Sequence, residues 1–281
     1  MKTAFVTVLN DAYILGALTT FYSLVKNTPN FNCDIIILDW GDLSDNNKQK
    51  LKNIYKNIIF RPIDVDLYNN CKYDSSDRKW YYNCNYRFDI FCIQGYDKLI
   101  FIDTDFLIQI SVQPLIDIDC NFGVVKSLSE FVLQYSGENC FDAGLMIIGK
   151  KYLDCSIRDK LIKLSLEPAP MLANGSTLWT SDEPILNTFF STDKTMLEDK
   201  FNYHGTWLNK TTDIYNTNFQ FNGVKKPWLS SDIYECFNEH TVKHNIEESG
   251  TSRGLLIMLR LHKIYLNYMN EAIKLSQIND K

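Results

Sequence analysis

The chain has no glycine-rich phosphate loop, no excess of basic residues, no long apolar run and no paired-cysteine motif, and each absence removes a class of function. Neither GxGxxG nor GxxxxGK[ST] follows any apolar run, so the glycine cradles of a dinucleotide-binding Rossmann domain and of a P-loop ATPase are both missing. Lys and Arg total 29 against 34 Asp and Glu, the formal net charge is −5 and the pI is near 5.4. With no basic stripe, nucleic acid is a poor partner. No stretch approaches the ~18–20 consecutive apolar residues of a membrane-spanning helix. The opening "TAFVTVLNDAY" is interrupted by Asn10 and Asp11 too soon for a signal peptide. Eight cysteines, at positions 33, 71, 84, 92, 120, 140, 155 and 236, show neither CxxC pairs nor regular spacing. That pattern predicts reduced thiols in a cytoplasmic setting, without a zinc centre or a disulfide framework.

What is present is ample apolar material: 45% hydrophobic and 14% aromatic residues over 281 positions, enough for one large core. Short apolar runs recur with more polar, helix-like segments between them: "AFVTVL" (4–9), "CDIIILDW" (33–40), "NIIFRPI" (57–63), "KLIFIDTD" (98–105), "FGVVKS" (122–127) and "AGLMIIG" (143–149). Buried strands alternating with helices predict an α/β fold, a mostly parallel central sheet flanked by helices. The first unit is the clearest. "AFVTVL" leads into the capping pair Asn10–Asp11, and then "AYILGALTTFYSLVKNT" carries apolar residues at helical spacing until Pro29 stops it. Such a β-loop-α start is where open α/β sheets bind nucleotides. Further on, "SDEPILNTFF" (181–190) reads as a capped helix start, and "RGLLIMLRLHKIYLNYMNEAIKL" (253–275) as a long amphipathic helix. The expected organisation is one catalytic-type domain over residues 1–232, with a helical C-terminal extension over 233–281 packed on it. The end helix also leaves a homodimer open.

Two carboxylates, Asp103 and Asp105, interrupt the apolar segment "KLIFIDTDFLI". Acids at i and i+2 beyond a strand end can both turn toward one divalent cation, which would then bridge phosphate oxygens of a nucleotide. The same acids could instead make strand-end turn hydrogen bonds to backbone, and the DxD pattern alone does not separate these uses.

Five segments in order resemble glycosyltransferase family 8, and in particular its glycogenin branch, over about residues 4–230. They are "FVTVLNDAYILGAL", "FIDTDFLI", "CFDAGLMIIG", "SDEPILNTFF" and "FNGVKKPW". The resemblance implies a GT-A fold and a retaining, metal-dependent transfer of a hexose, glucose foremost, from a UDP-sugar such as UDP-glucose to a hydroxyl of a glycan or protein acceptor. It gives Val8, Leu9, Asn10 and Tyr13 the uracil and ribose, with the Tyr13 ring available to stack on the base. Asp103 and Asp105 would hold Mn²⁺ or Mg²⁺, with Thr104 between them in the donor site. Arg78 and Arg87 would lie near the diphosphate and sugar. Asp142, Ala143 and Gly144 would contact the donor sugar, and Gly223 and Lys226 the diphosphate. Asp182, Arg87 and Glu183 are the catalytic candidates, Asp182 holding sugar hydroxyls beside the anomeric carbon; as a helix-start residue, Asp182 also reads as an N-cap.

The chain departs from the family pattern in four places. Gln220 stands where the family completes its metal site with histidine, offering an amide oxygen as third metal ligand. Asp142 replaces an asparagine and Glu183 a glutamine, which would add two negative charges to the site. The segment between Asp182 and Gln220 is short, with no secure counterpart of the self-glucosylated tyrosine of glycogenin. The alternative reading is therefore a UDP-sugar-binding protein with weakened catalysis. A sugar-1-phosphate nucleotidyltransferase is less well matched, because "VLNDAYILG" lacks a glycine-rich loop with a basic residue.

Overall fold

The computed structural model describes residues 1–71, 79–127, 139–168, 181–204, 213–221, 226–229 and 252–278, without the side chains of 79–83 and 252–255. Strand β1 (Thr3–Leu9) is buried along almost its whole length, and β2 (Asp34–Asp39) and β3 (Ile58–Pro62) join it in parallel on one side. On its other side lies β4 (Lys98–Ile102), also parallel. The sheet then turns mixed, because β7 (Phe141–Gly149) runs antiparallel to both β4 and β6 (Phe122–Lys126), and β8 (Thr195–Leu197) pairs in parallel with β6. The strand order is β3-β2-β1-β4-β7-β6-β8. The expected mostly parallel sheet flanked by helices is thus observed, with β7 as its antiparallel insert.

The helices follow their local signals. Asn10 accepts a hydrogen bond from the backbone N–H of Tyr13 and starts a 3-10 turn (Asp11–Tyr13) that runs into α1 (Ile14–Asn27). Ser44 caps α2 (Asp45–Ile54), and Asp154 caps α4 (Cys155–Leu166). Between them in sequence lies the short α3 (Gln113–Asp117), whose carbonyl end is closed from within. Buried Lys98, at the start of β4, donates to the carbonyls of Ile116 (2.8 Å) and Ile118. A lysine in an apolar strand is tolerated because its ammonium finds these unpaired carbonyls.

Two apolar layers sandwich the sheet. One gathers Val6, Leu38, Phe88, Phe91, Phe101 and Phe141; the other gathers Phe5, Phe21, Ile37, Ile100 and Leu145. Each such side chain contributes about 1.5–3 kcal/mol when fully buried, so this alternation is what sets the strands in register. A smaller sheet, in the order β5 (Phe106–Leu107), β10 (Phe219–Gln220), β9 (Tyr203–His204), sits beside the carboxyl end of β4. It shares a third apolar cluster with the C-terminal helix α6 (Ser252–Ser276), in which Leu107, Phe219, Phe221, Met258, Leu261 and Tyr265 meet. Helix α6 is tied to α1 as well: Glu271 accepts from Lys26 (2.6 Å) and Tyr22 (2.9 Å), and Asn27 donates to the Tyr268 hydroxyl (2.9 Å). Among the described residues no helix is long and apolar enough to cross a membrane.

One sequence expectation is corrected here. Cys92 and Cys155 form a disulfide across 63 residues, linking the end of the 3-10 segment Lys79–Cys92 to the start of α4. Spacing could not reveal it, because the two cysteines are brought together only by the packing of that segment against α4. Cys33, Cys71, Cys84, Cys120 and Cys140 are free.

Candidate active site at the carboxyl edge of the sheet

The acids of the DxD lie immediately past β4, where the chain leaves the main sheet for β5. Helix α1 holds that exit in place. The Thr20 hydroxyl donates to the carbonyl of Phe106 (2.9 Å) and accepts from its N–H (3.1 Å), and Ser23 accepts from the N–H of Ile108 (3.0 Å). Backbone groups that a neighbouring strand would otherwise satisfy are satisfied by helix hydroxyls. Gly16 completes the contact: a Cβ there would stand 2.5 Å from the carbonyl oxygen of Thr104 and 2.6 Å from the Trp228 ring. The glycine is what lets α1 approach the acids this closely.

Arg87 links the catalytic candidates. Its Nε lies 2.7 Å from Asp182 Oδ2, its Nη1 donates to the Ala143 carbonyl (2.7 Å), and its Nη2 faces Asp103 Oδ1 at 3.4 Å. The fork of one guanidinium thereby joins α5 (Asp182–Phe189), β7 and the DxD, a geometry lysine could not reproduce. Asp182 is the first helical residue of α5, and Ser181 occupies the N-cap position instead. Asn187 fastens that helix to β7, accepting from the N–H of Phe141 (2.9 Å) and donating to its carbonyl (2.8 Å).

A second ion pair lies alongside. Lys226 Nζ is 2.5 Å from Asp105 Oδ2 and donates to the Phe221 carbonyl at 2.9 Å. Gln220 Nε2 donates to Asp103 Oδ2 at 2.9 Å, and Gly144 leaves the room for it, since a Cβ there would stand 2.1 Å from Gln220 Oε1. Asp105 Oδ1 and Gln220 Oε1 are buried and without a hydrogen-bond partner among the described residues. Among those residues no three His, Cys, Asp or Glu side chains group as a metal centre. The donor set is two carboxylates and an amide, with two buried oxygens still seeking a partner. Hard oxygen donors of this kind fit Mn²⁺ or Mg²⁺.

The two extra acids sit in different surroundings. Asp142, 3% exposed, accepts from the N–H of Gly144 and from Asn202 Nδ2, both at 2.8 Å on Oδ1, while Oδ2 lies 2.7 Å from His204 Nε2. Burial opposes its charge, but His204 and these hydrogen bonds hold the carboxyl down to about 2. These contacts hold it inside the protein, where it fixes the stretch of β7 that aims the Ala143 carbonyl at Arg87. Glu183 is pushed well above the usual glutamate range by burial and by the charges of Asp142 and Asp182. Burial likewise pushes Asp103 up to about 7 against the pull of Arg87, and raises Asp182. Burial thus works against the charge of Glu183, Asp103 and Asp182, while Asp142 keeps its own.

The nucleoside end of the site is more open. Tyr13 is 36% exposed and meets the edge of Trp228 at 6.0 Å between centroids, so packing and an exposed ring coexist. Val8 packs partly against the first apolar layer, whereas the Leu9 side chain is buried in the second, leaving Leu9 only its backbone for a ligand. Arg78 and Gly223 lie outside the described residues. Reading the sequence missed Gly16, Thr20, Ser23, Asn187, Asn202, His204 and the thiol of Cys84, which burial and the Asp182 charge push upward. Of these, Gly16 alone carried a local signal, a glycine inside a helical pattern.

Comparison with known proteins bears on the family and the fold. The family profile described as glycosyl transferase family 8 matches residues 5–232. The galactosyltransferase LgtC in complex with donor and acceptor sugar analogs superposes with a TM-score of 0.69 at 19% identity, over 99% of this chain and 98% of that one. An active-site mutant of LgtC gives 0.66 at 21% identity, over 87% of this chain and 94% of that one. The glycosyltransferase GlyE of Streptococcus pneumoniae TIGR4 gives 0.59 at 18% identity, over 96% of this chain and 63% of that one. A search of curated proteins finds no match. The structural likeness establishes the GT-A fold, and with the family match spanning most of its length, the chain belongs to glycosyl transferase family 8.

Proposed function

We propose that this glycosyltransferase moves a hexose, glucose foremost, from a UDP-sugar to a hydroxyl acceptor with retention of anomeric configuration, and that it requires a divalent cation. The observation that carries the reading is the chain of contacts Asp182–Arg87–Asp103, running from a buried to a half-buried acid, beside the buried pair Lys226–Asp105 at the carboxyl edge of the sheet. Asp103, Asp105 and the Gln220 amide oxygen are the residues that would hold Mn²⁺ or Mg²⁺. Such an ion, when bound, offsets the negative charge of the departing diphosphate.

The protein's own side chains do the rest. Asn10 holds the loop after β1 in place, and the Tyr13 ring offers a face to the base. Lys226 supplies a point charge to the diphosphate. Arg87 fixes Asp182 where it can take hydroxyls of the donor sugar, and Glu183, held toward its neutral form by burial, can donate a hydrogen bond beside it. In same-face attack the bond from the anomeric carbon to the diphosphate oxygen breaks as the acceptor oxygen bonds to that carbon. The acceptor proton passes to the departing diphosphate oxygen. Rate enhancement rests on positioning and on charges already aimed at the leaving group. Helix α6 belongs, in this reading, to the same catalytic body.

Gln220 in place of the family's histidine favours a second reading, a UDP-sugar-binding protein that turns over poorly. UDP release from UDP-glucose and, because LgtC is described as a galactosyltransferase, UDP-galactose, with Mn²⁺, Mg²⁺ or a chelator, separates the two. The expected result is metal-dependent release from one donor, lost in Asp103→Asn. UDP binding without release over long incubation would refute catalysis and leave the binding protein.

A further inference from the structure

The Asp105 carboxylate is unevenly shared. Oδ2 takes the Lys226 ammonium at 2.5 Å, while Oδ1, equally buried, has no hydrogen-bond partner among the described residues. Lys226 is only 9% exposed, and in that setting its ammonium meets Asp105 Oδ2 and the Phe221 carbonyl. The ammonium is therefore the counter-ion of Asp105 in the absence of ligands.

A divalent cation bound to Oδ1 would stand beside that ammonium on one carboxylate, in a pocket where little water intervenes. Two cations so placed repel each other far more strongly than in bulk solvent. Arg87 cannot yield, being held at once by Asp182 and the Ala143 carbonyl. Lys226 can, because its charge sits on a flexible four-carbon stem with freely rotating donors. It needs an anion to move to, and the diphosphate of a nucleotide is the anion that arrives next to the same cation.

Resting on the donor-site reading above, we propose that Lys226 is a displaceable counter-ion: it holds Asp105 until a diphosphate arrives to receive it, so that divalent cation and nucleoside diphosphate bind as a mutually dependent pair. Cation alone competes with Lys226. Cation with diphosphate does not. By linkage, each ligand strengthens the other by the same factor.

The test is calorimetric titration of Mn²⁺ into the full chain, wild type and Lys226→Met, with and without saturating UDP, alongside thermal unfolding. Without UDP, Mn²⁺ should bind Lys226→Met about tenfold or more tighter than wild type, and the tightening that UDP confers on Mn²⁺ should shrink by a comparable factor, within the usual span of such couplings. The metal-free variant should melt below wild type, with Asp105 left unpaired, and Mn²⁺ should restore it more than it does wild type. If the methionine variant does not fold, Lys226→Gln, which keeps the stem and a hydrogen-bond donor, carries the same expectations. Mn²⁺ and UDP binding to wild type, with Mn²⁺ affinity unchanged or weaker in the variants, overturns the exchange while leaving the donor site intact. Failure of both Mn²⁺ and UDP to bind wild type overturns the donor-site reading and the exchange together.

Discussion

Gly16→Ala is the sharpest probe of how the fold serves the site. Added to the ideal backbone, the methyl would lie 2.5 Å from the Thr104 carbonyl oxygen and 2.6 and 2.8 Å from two carbons of the Trp228 ring, whereas real Cβ contacts essentially never fall below 3.0 Å. One obstacle is backbone, so α1 or the DxD loop must shift. An alanine in a helix gains about 0.5–1 kcal/mol over glycine. Overpacking a tight contact loses about 1–3 kcal/mol. The balance is a net loss of up to about 2.5 kcal/mol, or up to roughly 10 °C in Tm for a chain of this size. The functional effect should exceed the stability effect, because the shifted atoms adjoin Asp103, Asp105 and Tyr13, and a misplacement near 1 Å can reduce rate about a hundredfold. Differential scanning calorimetry and titration of UDP with Mn²⁺ read the two effects. Gly41→Ala is the control: its φ of +101° strains an alanine but nothing lies within 4 Å, so Tm should fall while UDP affinity holds. A Gly16→Ala protein with unchanged or higher Tm and unchanged UDP affinity would refute the close-approach argument.

Arg87→Met should lose about 3–5 kcal/mol in urea unfolding, because it strands the buried carboxylate of Asp182 together with the half-buried one of Asp103; a loss under about 1 kcal/mol would show that the guanidinium is not their counter-ion. Glu183→Gln gives a pH signature. The folded-state pKa of Glu183 lies well above the ordinary value of 4.5, so its carboxyl favours the folded state at low pH, and that advantage is lost as pH rises from there through the folded pKa. The glutamine variant should match wild type near pH 4 and become the more stable of the two by about pH 8. A difference in Tm that stays flat with pH would contradict the elevated Glu183 carboxyl.

The apolar runs from "AFVTVL" to "AGLMIIG" each became a strand, within two residues of the predicted ends except that "KLIFIDTD" stops at Ile102, three residues early, and Asn10 caps the first turn as its side chain requires. Hydrophobic periodicity and caps are local properties, so the α/β class was legible from them. Of the residues the motifs supplied, Asp103, Asp105, Asp142, Asp182, Gln220 and Lys226 converge at the carboxyl edge of the sheet. Their partners were not legible. That Asp142 faces His204 depends on β9 lying next to β10, which places His204 in register with Gln220; that Arg87 spans Asp103 and Asp182 depends on three elements far apart in sequence meeting at one edge. The disulfide joining Cys92 to Cys155 is of the same kind.

By itself, then, the order of residues determined the strands, the caps and the kinds of side chain gathered at the carboxyl edge, because those follow from patterns within a few residues. Only the tertiary structure decided which acids are charged and which cation each one holds. Charge state depends on burial and on neighbours within a few ångströms, and both are set by long-range packing that no local pattern records.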